Sequence, residues 1–279
     1  MMRVAVTRGV SAAIGRCELT HLEREPIDLD RARRQHRAYQ ERLRILGCRI
    51  EALPDEPELP DSVFVEDVAV VLDELAVITR PGAPSRRNER PSIGQALERY
   101  RPLFHIRAPG VLDGGDVVLL GDIVYVGLSS RSNRAGARQL REAVAEHGYD
   151  VREVEFRDCL HLKSAATPVA ADTILLNPEC VDRAAFGEAR VIAVDPREPR
   201  AANVLPVGET VLCGAEYPET RECLVDHGFE VTAVDASELA KAEGALTCCS
   251  LLFEVEEDLE PDLRHGLHLP GETISKFHP

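Results

Sequence analysis

Short apolar runs separated by turn residues recur along this chain, and they come in pairs. Val65–Val71 is followed by Ala76–Thr79, Val117–Leu120 by Ile123–Val126, Ala165–Val169 by Thr173–Leu176, and Asn203–Val207 by Thr210–Leu212. The runs are rich in β-branched residues and joined by acidic or glycine-containing turns, which predicts a hairpin of two short strands in each case. Longer amphipathic stretches over Asp28–Leu46, Asn133–His147 and Pro218–His227 predict helices, with a glycine following each one and Pro218 at a first helical position.

The helix ends repeat. His147-Gly148-Tyr149-Asp150-Val151 and His227-Gly228-Phe229-Glu230-Val231 share one pattern, and Leu46-Gly47-Cys48-Arg49-Ile50 shares it loosely: a helix stops at glycine and a strand begins. The glycines lie roughly 100 and 80 residues apart, which fits repeats of about 40 to 50 residues. The repeating unit is then strand, strand, helix, strand, and about five such units fill the chain. Closed into a ring, they make a five-bladed α/β propeller; an open doubly wound sheet is the competing layout, disfavoured by the hairpins. No Pro/Gly/Ser-rich linker divides the sequence, so one catalytic domain is expected over 1–255. The acidic stretch from Glu254 onward, counted as a tail over 256–279, is expected to pack poorly.

Composition narrows the partners. The 279 residues are 44% hydrophobic, enough to bury a full core, and no apolar run approaches the roughly 18 residues of a membrane span. Residues Met1–Arg16 lack the basic start and apolar centre of a secretory signal, so a soluble cytoplasmic protein is expected. With 48 acidic against 33 basic residues the net charge is −15, which argues against nucleic acid and anionic membranes and suits a cationic ligand. The eight cysteines show no CxxC pairing, so reduced thiols are expected rather than disulfides or a structural zinc site.

A ring of repeats brings equivalent loops of every unit to one face, where polar residues beside the apolar strands can meet. The candidates are Asp61 to Asp67, Asp113-Gly114-Gly115-Asp116, Ser129 to Asn133, Cys159 to Ser164, and Gly244 to Ser250. Taken singly, each has an ordinary explanation. Glu66-Asp67 reads as a solvated strand end, Asp113 to Asp116 as a tight turn, His161 as a core histidine, and Cys248-Cys249 as small hydrophobes.

Together, Phe64-Val65-Glu66-Asp67-Val68-Ala69-Val70-Val71, Ile78-Thr79-Arg80-Pro81-Gly82-Ala83-Pro84-Ser85-Arg86-Arg87, Leu112-Asp113-Gly114-Gly115-Asp116-Val117, Leu160-His161-Leu162-Lys163-Ser164 and Leu246-Thr247-Cys248-Cys249-Ser250 resemble the dimethylarginine dimethylaminohydrolase family. This family belongs to the guanidine-modifying α/β-propeller (pentein) superfamily, and the strings occur in its order from about Leu19 to Leu252. The resemblance implies hydrolysis of methylated arginine to citrulline and an amine. It assigns Cys248 as nucleophile, His161 as acid and base, and Asp113 as the carboxylate that orients the histidine. It further implies that Asp61, Glu66 and Asp67 hold the guanidinium and that Arg86 and Arg131 hold the substrate's α-carboxylate. Leu19 falls in a lid, and Ala242 contacts substrate through its backbone carbonyl.

The family's pattern has Val-Asp where this chain has Ala242-Glu243, so Glu243 is expected to hold the guanidinium at a different distance. No cofactor or metal is implied, although Cys248 with His161 could bind zinc adventitiously. The partner is a small-molecule substrate, with a homodimer as one allowed assembly. The same scaffold also serves arginine deiminases acting on unmethylated arginine and a non-enzymatic ribosome anti-association factor, so both remain alternatives.

Overall fold

The computed structural model describes residues 1–256 and contains five separate three-stranded sheets. The first unit holds β1 (Met2–Arg8), α1 (Leu29–Ile45) and β2 (Cys48–Leu53); the second, β3 (Ala69–Val71), β4 (Ala76–Ile78), α2 (Arg90–Leu97) and β5 (Leu103–His105). The third holds β6 (Val117–Leu120), β7 (Ile123–Leu128), α3 (Arg134–Val144) and β8 (Asp150–Glu155). The fourth starts from the one-turn helix α4 (Leu162–Ala165) and holds β9 (Ala166–Ala170), β10 (Thr173–Leu176) and β11 (Arg190–Ala193). The fifth holds β12 (Leu205–Val207), β13 (Thr210–Gly214), α5 (Pro218–Asp226) and β14 (Glu230–Val234), followed by the short α6 (Ser237–Ala240) and β15 (Leu251–Val255).

Within each sheet one pair is antiparallel and the last strand runs parallel to the middle one after a crossover. In the first sheet the missing strand comes from late in the sequence: β15 pairs antiparallel with β1, Met2 opposite Val255, and β2 lies parallel on β1's other side. A channel of about 290 Å³ is lined by β3, β6, β9, β12 and β15 or the residues flanking them, so the innermost strand of every unit faces one axis. The hairpin pairing and this common axis make the ring, rather than an open sheet, the observed arrangement.

No single sheet can bury both its faces. Five apolar clusters therefore fill the five gaps between successive sheets. The alternation of a strand serves two of them at once: in β1, Val4 and Val6 point into the cluster shared with the second unit, whereas Ala5 points into the cluster shared with the fifth.

Helix limits follow local chemistry. Asp28 caps α1 by accepting from the Arg31 amide, and Asn133 caps α3 by accepting from the Gly136 amide. Gly47, Gly148 and Gly228 each end a helix with positive φ (86°, 84° and 92°), the conformation that favours glycine there.

Three expectations need correction, and one helix was not foreseen. Val65–Val68 is a 3₁₀ turn, not strand, held by tertiary contacts such as the Arg86 guanidinium on the Phe64 carbonyl. The fourth unit crosses over through a 3₁₀ turn, Arg183–Phe186, in place of a helix. Helix α2, which holds Pro91 in its first turn, carries too little periodicity to predict. Glu254 belongs to β15 and pairs with Arg3 at 3.0 Å, so the tail does not begin there; residues 257–279, where most of it was placed, lie outside the described residues. All eight cysteines are unpaired. Among the described residues, no helix is long and apolar enough to cross a membrane.

Candidate active site

Every unit delivers a polar segment immediately before its innermost strand: Glu66 and Asp67 before β3, Asp113–Asp116 before β6, His161 before β9, Asn203 before β12, and Thr247–Cys249 before β15. They meet at one end of the ring. A cavity there is walled by Glu18, Asp61, Phe64, Asp67, Arg86, Arg131, Leu160, His161, Ala242, Glu243, Gly244 and Cys248.

His161 precedes α4, and its ring is fixed from two sides. Nε2 lies 3.0 Å from Asp113 Oδ2, and Nδ1 lies 3.7 Å from Asp67 Oδ1. Burial alone would lower its pKa; Asp67, the Asp113 hydrogen bond and Asp116 outweigh that and push it up to about 9. The ring is therefore an imidazolium at pH 7. Asp113 is fully buried and also accepts from the Gly82 amide at 2.8 Å, which fixes the carboxylate that holds the ring. Asp116 accepts from the Leu162 amide at 3.0 Å and the Ser129 hydroxyl at 2.6 Å, and burial raises its pKa to about 6.

The two glycines of this turn leave room for the site. A Cβ on Gly114 would sit 2.0 Å from the Glu66 carbonyl oxygen, and one on Gly115 would sit 2.6 Å from His161 Nδ1 and 2.8 Å from Asp67 Oδ1. Gly115→Ala should leave the fold intact, because the clash lies inside the site, yet displace the imidazole. A shift near 1 Å costs about 10²-fold in kcat; unchanged kcat with unchanged circular dichroism would show that the ring has slack.

The adjacent carboxylates Glu66 and Asp67 have separate surroundings. Asp67 faces the cavity, takes the Gly115 amide at 3.2 Å and a short hydrogen bond from Arg86; burial opposes its charge, but His161 and Arg86 win and lower its pKa. Glu66 turns away from the cavity, accepting from Lys163 Nζ at 2.5 Å and Thr247 Oγ1 at 2.6 Å. It thereby fastens the turn that carries Cys248. Asn203 clamps the same turn, exchanging bonds with Thr247 at 3.0 and 3.1 Å, and Tyr39 holds the Leu246 carbonyl at 3.0 Å.

Arg86 is buried, its fork laid across Glu89 at 2.8 and 3.1 Å, with further bonds to Asp67 and to the Phe64 and Asp61 carbonyls. Burial opposes its charge, but Glu89 and Asp67 hold it protonated. Arg131 is less committed, reaching Thr20 Oγ1 at 3.1 Å and Asp113 Oδ2 at 3.7 Å. Asp61 accepts the Glu18 amide at 3.2 Å, and burial raises its pKa.

Cys248 lines the cavity, whereas Cys249 turns its Sγ to the Ala245 carbonyl at 3.4 Å and packs into the core. Burial, then Glu66 and Asp67, raises the Cys248 thiol well above its usual range, so it is neutral at rest. Leu19 packs half-buried on the apolar cluster that contains Cys248 and does not wall the cavity. Ala242 does wall it. Glu243 does too, but its carboxylate accepts the amides of Thr20, His21 and Leu22 rather than facing free space.

Asp67, Asp113 and His161 place one ligand atom each within 4.8 Å of one another, a spacing that a metal could use. Arg86 and Arg131 already sit on these carboxylates, and the protonated His161 ring has no free nitrogen lone pair to offer a metal. Residues that sequence reading did not select are Lys163, Asn203, Tyr39, Glu89 and Glu18; all but Glu89, which pairs with Arg86 three residues before it, act through partners distant in sequence, and only Lys163 stood within a selected string.

A sequence profile described as N,N dimethylarginine dimethylhydrolase, eukaryotic, matches residues 17–194. An N(G),N(G)-dimethylarginine dimethylaminohydrolase of Pseudomonas aeruginosa is 38% identical over 228 residues, covering 81% of this chain and 90% of that protein. Its counterpart in Streptomyces coelicolor is 40% identical over 248 residues, covering 88% and 95%. A solved structure of the Pseudomonas aeruginosa enzyme, a cysteine-to-serine mutant complexed with citrulline, superposes with a TM-score of 0.87 at 35% identity, covering 91% of this chain and all of that one (100%). Five sheets around one axis, a single cavity fed by all five units and relatedness over most of the length agree: this chain belongs to the dimethylarginine dimethylaminohydrolase family.

Proposed function

We propose that this chain hydrolyses Nω-methylated arginines, asymmetric dimethylarginine and monomethylarginine, to citrulline and dimethylamine or methylamine through a covalent adduct on Cys248. The observation that carries this reading is one cavity shared by the Cys248 thiol, the His161 imidazolium and the Asp61 and Asp67 carboxylates.

A guanidinium is a resonance-stabilised cation, so it needs a strong nucleophile and a protonated leaving group. Asp67 and Asp61 attract the cation and orient it over Cys248. Their charge, with that of Glu66, also keeps the resting thiol neutral. The bound cation reverses this locally, and the thiol proton passes to solvent because His161 already carries its own. The thiolate attacks the guanidinium carbon and forms a C–S bond. His161, already protonated, gives its proton to the departing amine as the C–N bond breaks, leaving a thiouronium adduct. Water then adds with His161 taking its proton, the C–S bond breaks, and citrulline leaves with Cys248 free again. Arg131 is placed to take the substrate's α-carboxylate in exchange for Thr20, while Arg86, locked to Glu89, steadies Asp67. We place the activity in the cytosol, within one domain spanning 1–255.

The deciding assay follows citrulline and the released amine from asymmetric dimethylarginine and from arginine, side by side. Dimethylamine release supports the proposal; ammonia from arginine alone would assign a deiminase, and no product from either would leave a binding protein on this fold. Substrate-dependent activation has its own signature. Labelling of Cys248 by neutral iodoacetamide should rise about tenfold per pH unit up to at least pH 9, because the raised thiol pKa keeps thiolate scarce below it. A cationic amidine electrophile, which brings its own charge, should plateau at lower pH. A plateau near pH 7 with iodoacetamide would mean that the thiolate is preformed.

A further inference from the structure

The catalytic cavity has room for about 20 Å³, close to one water-sized sphere, so no amino acid enters while its walls stand as they do. Among those walls, the segment 17–22 has no helix or strand of its own. It is held from outside. The Glu18 amide reaches Asp61 at 3.2 Å, the Glu18 side chain accepts Ser85 Oγ at 2.5 Å, and Thr20 Oγ1 accepts from Arg131 at 3.1 Å. Asp61 and Arg131 are groups proposed to meet substrate, so those two attachments are redrawn when substrate binds.

The attachment at Glu243 has a different character from these and from the Arg24 guanidinium on the Cys17 carbonyl at 2.6 Å. Three successive amides, Thr20, His21 and Leu22, converge on the Glu243 carboxylate at 3.0, 2.5 and 2.6 Å. A run of consecutive N–H groups aimed at one anion is an anion-binding nest, here filled by the protein's own side chain.

The backbone at Glu243 points to the same conclusion independently. After α6, the Gly244 amide returns to the Leu239 carbonyl at 3.1 Å and the Glu243 amide to the Ala240 carbonyl at 3.1 Å. This is the helix-ending motif whose penultimate position favours glycine in the left-handed region. Glu243 occupies it with φ 56°, a costly conformation for a residue with a Cβ. A glutamate kept where glycine would sit more easily, with its carboxylate filled by loop amides, marks a functional constraint.

We infer that Glu243 is the positioning residue that latches the 17–22 loop over the catalytic cavity, holding Leu19 and Glu18 in place while substrate exchanges the loop's attachments to Asp61 and Arg131. The role rests on the proposed hydrolysis for its consequence in turnover, but the latch itself is a property of the free protein. It also reassigns Glu243 away from the guanidinium, since its oxygens are occupied.

The test uses Glu243→Gly and Glu243→Gln in the full chain. Glycine relieves the left-handed backbone, so its melting temperature should equal or exceed the native value; glutamine keeps the shape and removes the charge. In both, hydrogen exchange of a peptide covering 17–23 should accelerate about tenfold or more, as expected for losing charge-assisted bonds, while α5 stays protected. KM for asymmetric dimethylarginine should rise about tenfold with kcat within about threefold, because the loop closes over bound substrate and does no chemistry. Unchanged exchange at 17–23 in both folded variants would overturn the latch. If the native protein turns over no methylarginine yet the loop is released, the latch stands and the proposed reaction falls.

Discussion

Cys248→Ser will lower turnover of asymmetric dimethylarginine by at least about 10⁴-fold while leaving substrate affinity within a few-fold of the native value. The change removes almost no volume, and the turn carrying residue 248 is held by Thr247, Asn203 and Tyr39, not by the sulfur. Ground-state contacts therefore survive. What is lost is ionisability: a serine hydroxyl cannot be brought to its anion by a bound guanidinium, whereas a thiol, even one raised by burial, Glu66 and Asp67, starts far closer to ionisation. Cys249 cannot substitute, because its Sγ is buried against the Ala245 carbonyl. Quenched single-turnover reactions read by mass spectrometry should show an adduct on the native chain and none on the variant. Residual turnover above a tenth of native would remove Cys248 from the nucleophile's role.

Asp67→Asn should be the second most damaging change, for a reason that combines stability and proton transfer. Its carboxylate faces Arg86, His161 and the Gly115 amide together. Orphaning a buried charge costs roughly 3–5 kcal/mol. Glu89 still engages Arg86 at two atoms in the variant, so a destabilisation of about 2 kcal/mol is expected instead.

The catalytic effect is larger. Asp67 is the strongest of the neighbours that raise His161, and losing it lets burial pull the imidazolium below its value of about 9. The sign is definite: the alkaline limb of kcat moves to lower pH, so the variant loses most at pH 8, where native His161 is still protonated. A drop in kcat of about 10²–10³-fold at pH 8, shrinking toward pH 6, would fit loss of the general acid. A pH-independent drop would mean that Asp67 serves substrate binding alone.

Much of the architecture was legible because its signals are local. Paired β-branched runs, glycine at helix ends and the recurrence of His-Gly-aromatic-acid-Val depend on neighbours a few residues away, and hairpins and helix stops form where they predict. Where the signal was weak, the reading failed: α2 has little periodicity, and the Val65–Val68 run has strand character but is bent into a 3₁₀ turn by contacts with Arg86. The candidate site was legible as a set of strings, since four of the five lie just before an innermost strand and a ring must bring such positions together; the fifth, Ser129 to Asn133, follows β7.

The division of labour within those strings was not. Sequence by itself determined five repeating units, their hairpins, most of their helices, and the identity of the residues that gather at one end. Tertiary structure decided which neighbour of each pair faces the cavity: Asp67 rather than Glu66, Cys248 rather than Cys249. It also gave Arg86 to Glu89 and Asp67, and turned Glu243 from an expected guanidinium contact into the anchor of a loop more than 200 residues away in sequence. The reason is physical: a buried carboxylate, thiol or guanidinium takes its orientation and its charge from whichever partners the packed ring places around it. Many of those partners come from other blades, as Lys163 and Thr247 do for Glu66 and the 17–22 loop does for Glu243, and no local pattern encodes them.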